Sequence, residues 1–153
     1  MKKVVEVSEM NFKNILFAMK EGEDNYDFIE IKSKCDYYYL WKKESLLSYY
    51  DCYIKECSWA LDELKELQDK EKITQCQEML DEFIHLKNNH QKSPYNYVIS
   101  YSHDCKTGVL FGAITKEEVL TLVETEVGFD KIIEISPQYD NSHMDNFAEG
   151  YFF

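Results

Sequence analysis

One stretch of this sequence, from Ser45 to about His90, constrains the fold more than any other. It contains neither Gly nor Pro, the two residues that most often interrupt a helix. Apolar residues recur in its first half at steps of three and four, at Leu47, Tyr50, Ile54, Cys57, Leu61 and Leu64. The second half repeats the pattern at Ile73, Cys76, Leu80 and Phe83. Each set predicts an amphipathic helix with one apolar stripe.

The two stripes do not belong to one continuous helix. Continuing the first stripe at the same spacing meets only polar side chains, at Gln68, Glu71, Gln75, Glu78 and Glu82. Because the apolar register changes, we predict a break within Gln68–Lys72. Two long helices joined by so short a connection predict an antiparallel helical hairpin.

Short strands are predicted on both sides of this hairpin. Apolar runs that alternate or are rich in β-branched residues predict strands at Lys3–Val7, Tyr26–Lys32, Tyr95–Tyr101, Val109–Ile114 and Lys131–Ile135. The polar residues at 103–108 then form the turn of a β-hairpin. The aromatic run Asp36–Trp41 fits either a further strand or the first turns of the long helix. We favour a strand, because aromatic side chains suit a pleated surface.

Two shorter helices are also predicted. Ser8 is a suitable N-cap for a helix that runs to about Lys20. A second helix over 116–127 begins with a capping box, in which Thr115 is followed three residues later by Glu118, and it ends at Gly128. Residues 137–153 show no period, so we predict a loop or tail there.

The order of these elements predicts the fold class. Sequential hairpins with segregated helices indicate an α+β fold. We expect a mostly antiparallel or mixed sheet of about five strands, with the long helical hairpin and two shorter helices. The length of 153 residues and the absence of an internal repeat or linker predict a single domain over 1–153.

The cysteines and the first residues predict a cytoplasmic protein. The five cysteines are odd in number and include no C-x-x-C pair, so a disulfide framework is not expected. Cys57 and Cys76 fall on the apolar stripes, where we expect them to be buried thiols. The first residues are charged too early for a signal peptide, and no apolar run is long enough to cross a membrane.

Charge argues against nucleic acid as a direct partner. The formal net charge is −12, and all 17 basic residues are Lys. Nucleic-acid affinity rests largely on neutralising phosphates, which an acidic chain opposes. The absence of Arg also removes arginine fingers and bidentate recognition of guanine.

No motif predicts a catalytic, metal or cofactor site. Phosphate loops, dinucleotide-binding glycines, nucleophile elbows and zinc-protease motifs are all absent from the sequence. Glu82 and His85 form a single Glu-x-x-His, whereas di-iron bundles need two such motifs and two further glutamates. His103 and Cys105 share a turn with no orienting third group. Residues 140–145 lack the Gly and Glu that a calcium loop requires.

Trp59 lies off the apolar stripe of the first long helix. It therefore either packs on a second layer or is an exposed contact residue. We favour core packing, because large aromatic side chains are usually mostly buried.

The acidic residues gather towards the end of the sequence. Residues 93–153 carry three Lys and ten Asp or Glu, a net charge of −7, against −5 for residues 1–92. Aromatic side chains are interleaved with these acids, a combination typical of protein interfaces. The predicted protein-binding residues are Glu117, Glu118, Glu124, Glu126, Asp130, Tyr139, Asp140 and Asp145. An ordinary solvated acidic face fits each of these residues equally well when it is taken singly.

These features favour a protein that acts by binding. In size and composition the chain resembles bacterial immunity proteins, antitoxins and phage anti-defence proteins. The resemblance implies a basic protein partner, such as a toxin or nuclease, that is inhibited by steric occlusion and charge complementarity. Two alternatives stay open: a small α+β enzyme or ligand-binding domain with an unrecognised pocket, and a helical oligomerisation module. The sequence sets no oligomeric state.

Overall fold

The structure is a computed structural model that describes Lys13, Ile15, Met19 and residues 27–34, 36–101, 109–138 and 147–153. Its strands are β1 (Phe28–Ser33), β2 (Tyr37–Lys42), β3 (Tyr97–Ser100), β4 (Val109–Ala113) and β5 (Ile132–Gln138). Its helices are α1 (Lys43–Leu67), α2 (Lys70–Lys92), α3 (Lys116–Leu122) and α4 (Phe147–Phe152). A five-stranded antiparallel sheet with these helices makes an α+β fold, which confirms the predicted fold class.

The strands lie in the order β4-β3-β2-β1-β5, and every neighbouring pair is antiparallel. Leu40 lies at the centre of the sheet, opposite Ile29 on β1 and Ile99 on β3. Because side chains alternate along a strand, such rows of apolar residues share one face of the sheet. The register therefore collects the apolar residues of separate segments on a common surface.

Most predicted strands are present. Tyr26–Lys32 corresponds to β1, and the ambiguous segment Asp36–Trp41 is a strand, β2, as favoured. The two strands of the predicted β-hairpin, β3 and β4, pair as expected, while the turn at 103–108 lies outside the described residues. The predicted strand Lys3–Val7 also lies outside them. Of the predicted first helix, Lys13, Ile15 and Met19 are described, and all three are helical.

The strand predicted at Lys131–Ile135 is longer than expected. Strand β5 continues through Pro137, which lies opposite Ile29 on β1. Proline donates no backbone hydrogen bond, so it is tolerated in a strand at the edge of a sheet. Because β5 is an edge strand of the described sheet, Pro137 does not end it.

Two compact units make up the chain. One, the sheet unit, comprises Met1–Ser45 and Pro94–Tyr139, and the other, the helical unit, comprises Leu46–Ser93 and Asp140–Phe153. The core of the sheet unit joins apolar residues of the strands with Val119, Val123 and Val127 from the α3 region. Each such fully buried side chain contributes roughly 1.5–3 kcal/mol to the free energy of unfolding. The single domain over 1–153 stays a prediction.

The long helices break where the change of register predicted. Helix α1 ends at Leu67, and Gln68 follows with a positive φ of 58°. Asp69 then caps α2, because its side chain accepts a hydrogen bond from the backbone N–H of Lys72 at 3.2 Å. Gln68 and Asp69 together therefore reverse the direction of the chain between the two helices.

Contacts within the helical unit confirm the antiparallel hairpin. The Cys76 thiol donates to the Cys57 carbonyl near the connection, at 3.2 Å. The rings of Tyr53 and Phe83 stack at 4.4 Å between centroids. From Cys57 back to Tyr53 on α1, the contacting residue on α2 moves forward from Cys76 to Phe83, as antiparallel helices require. Both cysteines are fully buried, as predicted. Burial raises the pKa of the Cys76 thiol, and the side chain of Cys57 partly offsets that increase.

The buried face of α1 is wider than the predicted stripe. Tyr50, Cys57, Leu61 and Leu64 are buried as expected, whereas Leu47 and Ile54 of the predicted stripe are only partly buried. The stripe did not include four further buried residues, which are Leu46, Tyr49, Tyr53 and Ala60. The buried face of α1 therefore covers more of the helix surface than one narrow stripe.

Two predictions about the helical unit are wrong, one for Trp59 and one for the C-terminal tail. Trp59 is 44% exposed instead of lying in the core, because the buried face of α1 uses Cys57, Ala60 and Leu61. The predicted tail contains helix α4, whose Phe152 is buried. The Lys72 ammonium donates to the backbone carbonyl of Phe152 at 2.9 Å. A six-residue helix is too short for its period to be recognised in the sequence.

Candidate functional site

Helix α3 begins with the predicted capping box, in a modified form. Thr115 caps the helix by accepting from the backbone N–H of Glu118 at 3.2 Å. The Glu118 carboxylate reaches back to the backbone N–H of Ile114 at 2.9 Å, one residue before the usual partner. Glu118, one of the predicted protein-binding residues, therefore holds the start of the helix.

The turn that follows α3 is held by a second carboxylate. After Leu122 the chain makes a π-helical turn, Val123–Val127, which closes when the Gly128 N–H donates to the Val123 carbonyl at 2.8 Å. Gly128 has φ +88°, which explains why the predicted stop is a glycine. The Glu124 carboxylate then accepts from the backbone N–H of Phe129 at 2.9 Å.

A groove of about 410 Å³ runs along this segment. Its lining residues, which define the acidic groove, are Glu117, Leu120, Thr121, Glu124, Thr125 and Phe129. Two carboxylates thus lie beside the apolar side chains of Leu120 and Phe129. This arrangement can accept an aliphatic or aromatic side chain and, beside it, a positive charge.

The structure brings together only part of the predicted protein-binding set. Glu117 and Glu124 line the acidic groove. Glu126 and Asp130 are exposed on the same segment but are not among the lining residues. The remaining predicted residues, Tyr139, Asp140 and Asp145, lie outside the described residues.

A second concavity, of about 420 Å³, lies in the sheet unit and was not predicted. We call it the lysine cavity, because Lys42, Lys43 and Lys116 all line it. The other lining residues are Glu44, Asn96, Tyr97, Ile114 and Thr115. No sequence motif marks them, since they come from three separate segments of the chain.

A smaller concavity of about 280 Å³ lies in the helical unit. It is lined by Lys55, Glu56, Trp59 and Glu149. The exposed Trp59 ring lies 5.7 Å from the Phe153 ring, measured between centroids. This is the local environment of the tryptophan that the sequence placed in the core.

Metal-binding groups do not gather in the described part of the chain, where no three His, Cys, Asp or Glu side chains could hold one ion. His85, from the single Glu-x-x-His, is exposed and lies 3.0 Å from the side-chain amide of Asn89. The turn with His103 and Cys105 and the acidic segment 140–145 lie outside the described residues.

No helix among the described residues is both long enough and apolar enough to cross a membrane. The long helices α1 and α2 carry charged residues along their exposed faces instead. Comparisons with protein-family models, with curated proteins and with solved structures found no match to this chain.

Proposed function

We propose that this protein binds a basic protein through the acidic groove and inhibits that partner. The observation that carries the proposal is the pairing of Glu117 and Glu124 with the apolar surface of Leu120 and Phe129. Charged groups alone would attract many basic molecules, and an apolar floor alone would attract many hydrophobic ones. A groove with both selects a basic segment that also presents an apolar side chain.

Charge beyond the groove supports the same partner. Glu126 and Asp130 are exposed on the same segment, and residues 93–153 carry a net charge of −7. Such a field speeds the approach of a cationic protein and weakens as salt is added. Carboxylate hydrogen bonds at the start of α3 and in the turn after it hold the backbone of the groove in place, which lowers the entropic cost of binding.

The inhibition we propose is steric. A basic active site that acts on nucleic acid, such as that of a toxin or nuclease, is covered by an acidic protein that presents carboxylates where phosphates would bind. The role we propose is that of immunity proteins, antitoxins and phage anti-defence proteins as a class. The buried thiols of Cys57 and Cys76 suit the reducing cytoplasm, where we propose that it acts. The helical oligomerisation module stays a prediction.

Capture of the partner tests the proposal. The protein is immobilised, host lysate is passed over it at low salt, and bound proteins are eluted with rising salt. Glu117→Lys serves as the test variant, because this exposed carboxylate has no role in the caps of α3. Glu63→Lys, at an exposed site on α1, is the control and changes the net charge equally.

We expect one basic protein to elute in stoichiometric amount from the wild-type and Glu63→Lys columns. It should be depleted from the Glu117→Lys column, because the substituted ammonium repels it at the groove. The purified partner should lose its activity when the wild-type protein is added. Equal recovery from all three columns would exclude the acidic groove as the binding site.

A further inference from the structure

The lysine cavity lies where three strands of the sheet end or begin. Lys42, the last residue of β2, is opposite Tyr97, the first residue of β3. Tyr97 is in turn opposite Ala113, the last residue of β4. The row places the side chains of Lys42 and Tyr97 on the same face at one end of the sheet. The segments that follow lead directly into α1 and α3.

Backbone hydrogen bonds hold these segments together. The backbone N–H of Lys43 donates to the Asn96 carbonyl at 2.8 Å, and the backbone N–H of Asn96 donates to the Ala113 carbonyl at 2.9 Å. The Asn96 side-chain amide donates to the Ile114 carbonyl at 3.0 Å. These hydrogen bonds hold the backbone around the cavity in place, which lowers the entropic cost of binding there.

The charge of the cavity is opposite to that of the protein. Lys42, Lys43 and Lys116 all line it, with Glu44 as the one acidic residue of its lining. Its formal charge is thus +2 within a chain of net charge −12. All three lysines are partly buried, so their attraction for an anion is less screened than on an open surface. A cavity of this charge attracts an anion in preference to a cation.

We propose that the lysine cavity binds a small organic phosphate. The lysine ammonium groups would hold the phosphoryl group, for which lysine is a common ligand in proteins. Thr115 uses its hydroxyl oxygen to accept from Glu118, so its O–H can still donate to a phosphoryl oxygen. Tyr97 and Ile114 supply an apolar wall for the organic part. The volume of about 420 Å³ is in the range of small-molecule sites.

A long nucleic acid does not fit this description. Its neighbouring phosphates would extend beyond the cavity over a protein whose net charge is −12. A single phosphorylated molecule places its charge only where the lysines are. The lysine cavity is a different surface from the acidic groove, and phosphate binding there does not depend on a basic protein at the groove.

Calorimetric titration with phenyl phosphate tests this inference at about 0.15 M salt, where long-range repulsion is largely screened. Inorganic phosphate and phenol are titrated in parallel, since each carries one half of the proposed ligand. We expect phenyl phosphate to bind more tightly than inorganic phosphate, and phenol not to bind. Absence of phenyl phosphate binding, or equal binding of inorganic phosphate, would overturn the proposal.

Matched variants locate the site. Lys43→Gln combined with Lys116→Gln should weaken phenyl phosphate binding by about tenfold or more, because two charge-assisted contacts are lost. The control combines Lys55→Gln with Lys65→Gln, two exposed positions on α1, and removes the same charge. We expect the control to bind within about twofold of the wild type. Equal weakening by both pairs would show non-specific attraction and would contradict the cavity as the site.

Wild-type amide shifts provide a test that does not depend on how the variants fold. Phenyl phosphate should move the amide resonances of Thr115, Lys116 and Asn96 most strongly in the NMR spectrum. Those of α2, such as Gln75 and Glu78, should stay in place. Larger shifts along α2 than around Thr115 would overturn the assignment.

Discussion

The acidic groove and the lysine cavity both use the α3 region of the sheet unit, yet they are assembled in opposite ways. The groove takes its lining from one continuous segment, 117–129. The cavity takes its lining from three segments, 42–44, 96–97 and 114–116. A local surface depends on how one helix begins and ends, whereas a composite surface depends on the register of the whole sheet. The two should therefore respond differently to the same substitutions.

Substitution of Gly128 should separate them most clearly. Gly128→Val forces a β-branched residue to φ +88° and brings its Cβ to 3.0 Å from the Asp130 carboxylate. We expect the free energy of unfolding, measured in urea, to fall by roughly 1–3 kcal/mol. Capture of the basic partner should weaken with it, because Phe129 and Glu124 lose their arrangement. Phenyl phosphate binding at the lysine cavity should be unchanged.

Gly150→Ala is the matched control for that substitution. A Cβ at Gly150 meets no atom within 4 Å, and the residue is helical. The change should be neutral or stabilising by up to about 1 kcal/mol. If Gly128→Val unfolded at the same urea concentration as the wild type, the positive φ would not constrain this turn. If it abolished phenyl phosphate binding along with partner capture, the two surfaces would not be independent.

A smaller effect is expected from Glu124, which combines two roles in the groove. Its carboxylate accepts from the backbone N–H of Phe129 and contributes charge to the lining. Glu124→Ala should lower the free energy of unfolding by about 1 kcal/mol, since a partly buried hydrogen bond is lost. Glu124→Gln keeps an acceptor oxygen, so its stability should be near that of the wild type. Urea unfolding measures both changes.

The same pair of variants separates the charge of Glu124 from its structural role. Both should slow association with the captured partner at low salt, where steering is strongest, and the difference from the wild type should shrink at high salt. Stopped-flow mixing measures these rates. A Glu124→Gln variant as unstable as Glu124→Ala would mean that the hydrogen bond to Phe129 does not hold the turn.

The start of α3 and the stop at Gly128, which bound the acidic groove, could be predicted because the residues that determine them are close together in the sequence. The capping residues Thr115 and Glu118 and the stop at Gly128 are recognisable from neighbours within four positions. The same residues show what a pattern leaves out: Glu118 and Glu124 look like solvent-facing charges, yet both accept backbone hydrogen bonds. Side-chain partners of that kind follow from the path of the chain beyond the helix, which periodicity does not describe.

The lysine cavity could not be predicted in this way. Lys42 and Tyr97 are brought together by the antiparallel register of β2 and β3, across the entire helical hairpin. A one-residue change of register would turn Lys42 to the other face of the sheet. The errors at Trp59 and in the tail have a related cause. The burial of Trp59 and the helix in the tail both depend on how separate segments of the chain pack against each other.

The smallest effect should be seen at the buried thiols of the helical unit, which serve as an internal reference for both surfaces. Cys57 and Cys76 are fully buried, and burial raises the pKa of the Cys76 thiol, so little thiolate is present below its ordinary pKa of 9.0. Since thiolate is the reactive form, native protein should label slowly at both residues, and faster at the partly exposed Cys52. Because a group with a raised native pKa stabilises the fold fully only below its unfolded pKa, the protection of both thiols from labelling should weaken as the pH rises above about 9.

Neither Glu124→Gln nor the Lys43 and Lys116 pair should change the labelling rate at pH 7, as measured by mass spectrometry. Faster labelling of Cys57 and Cys76 in either variant would mean that these substitutions loosen the helical core, and changes in binding would then no longer report on the groove or the cavity alone.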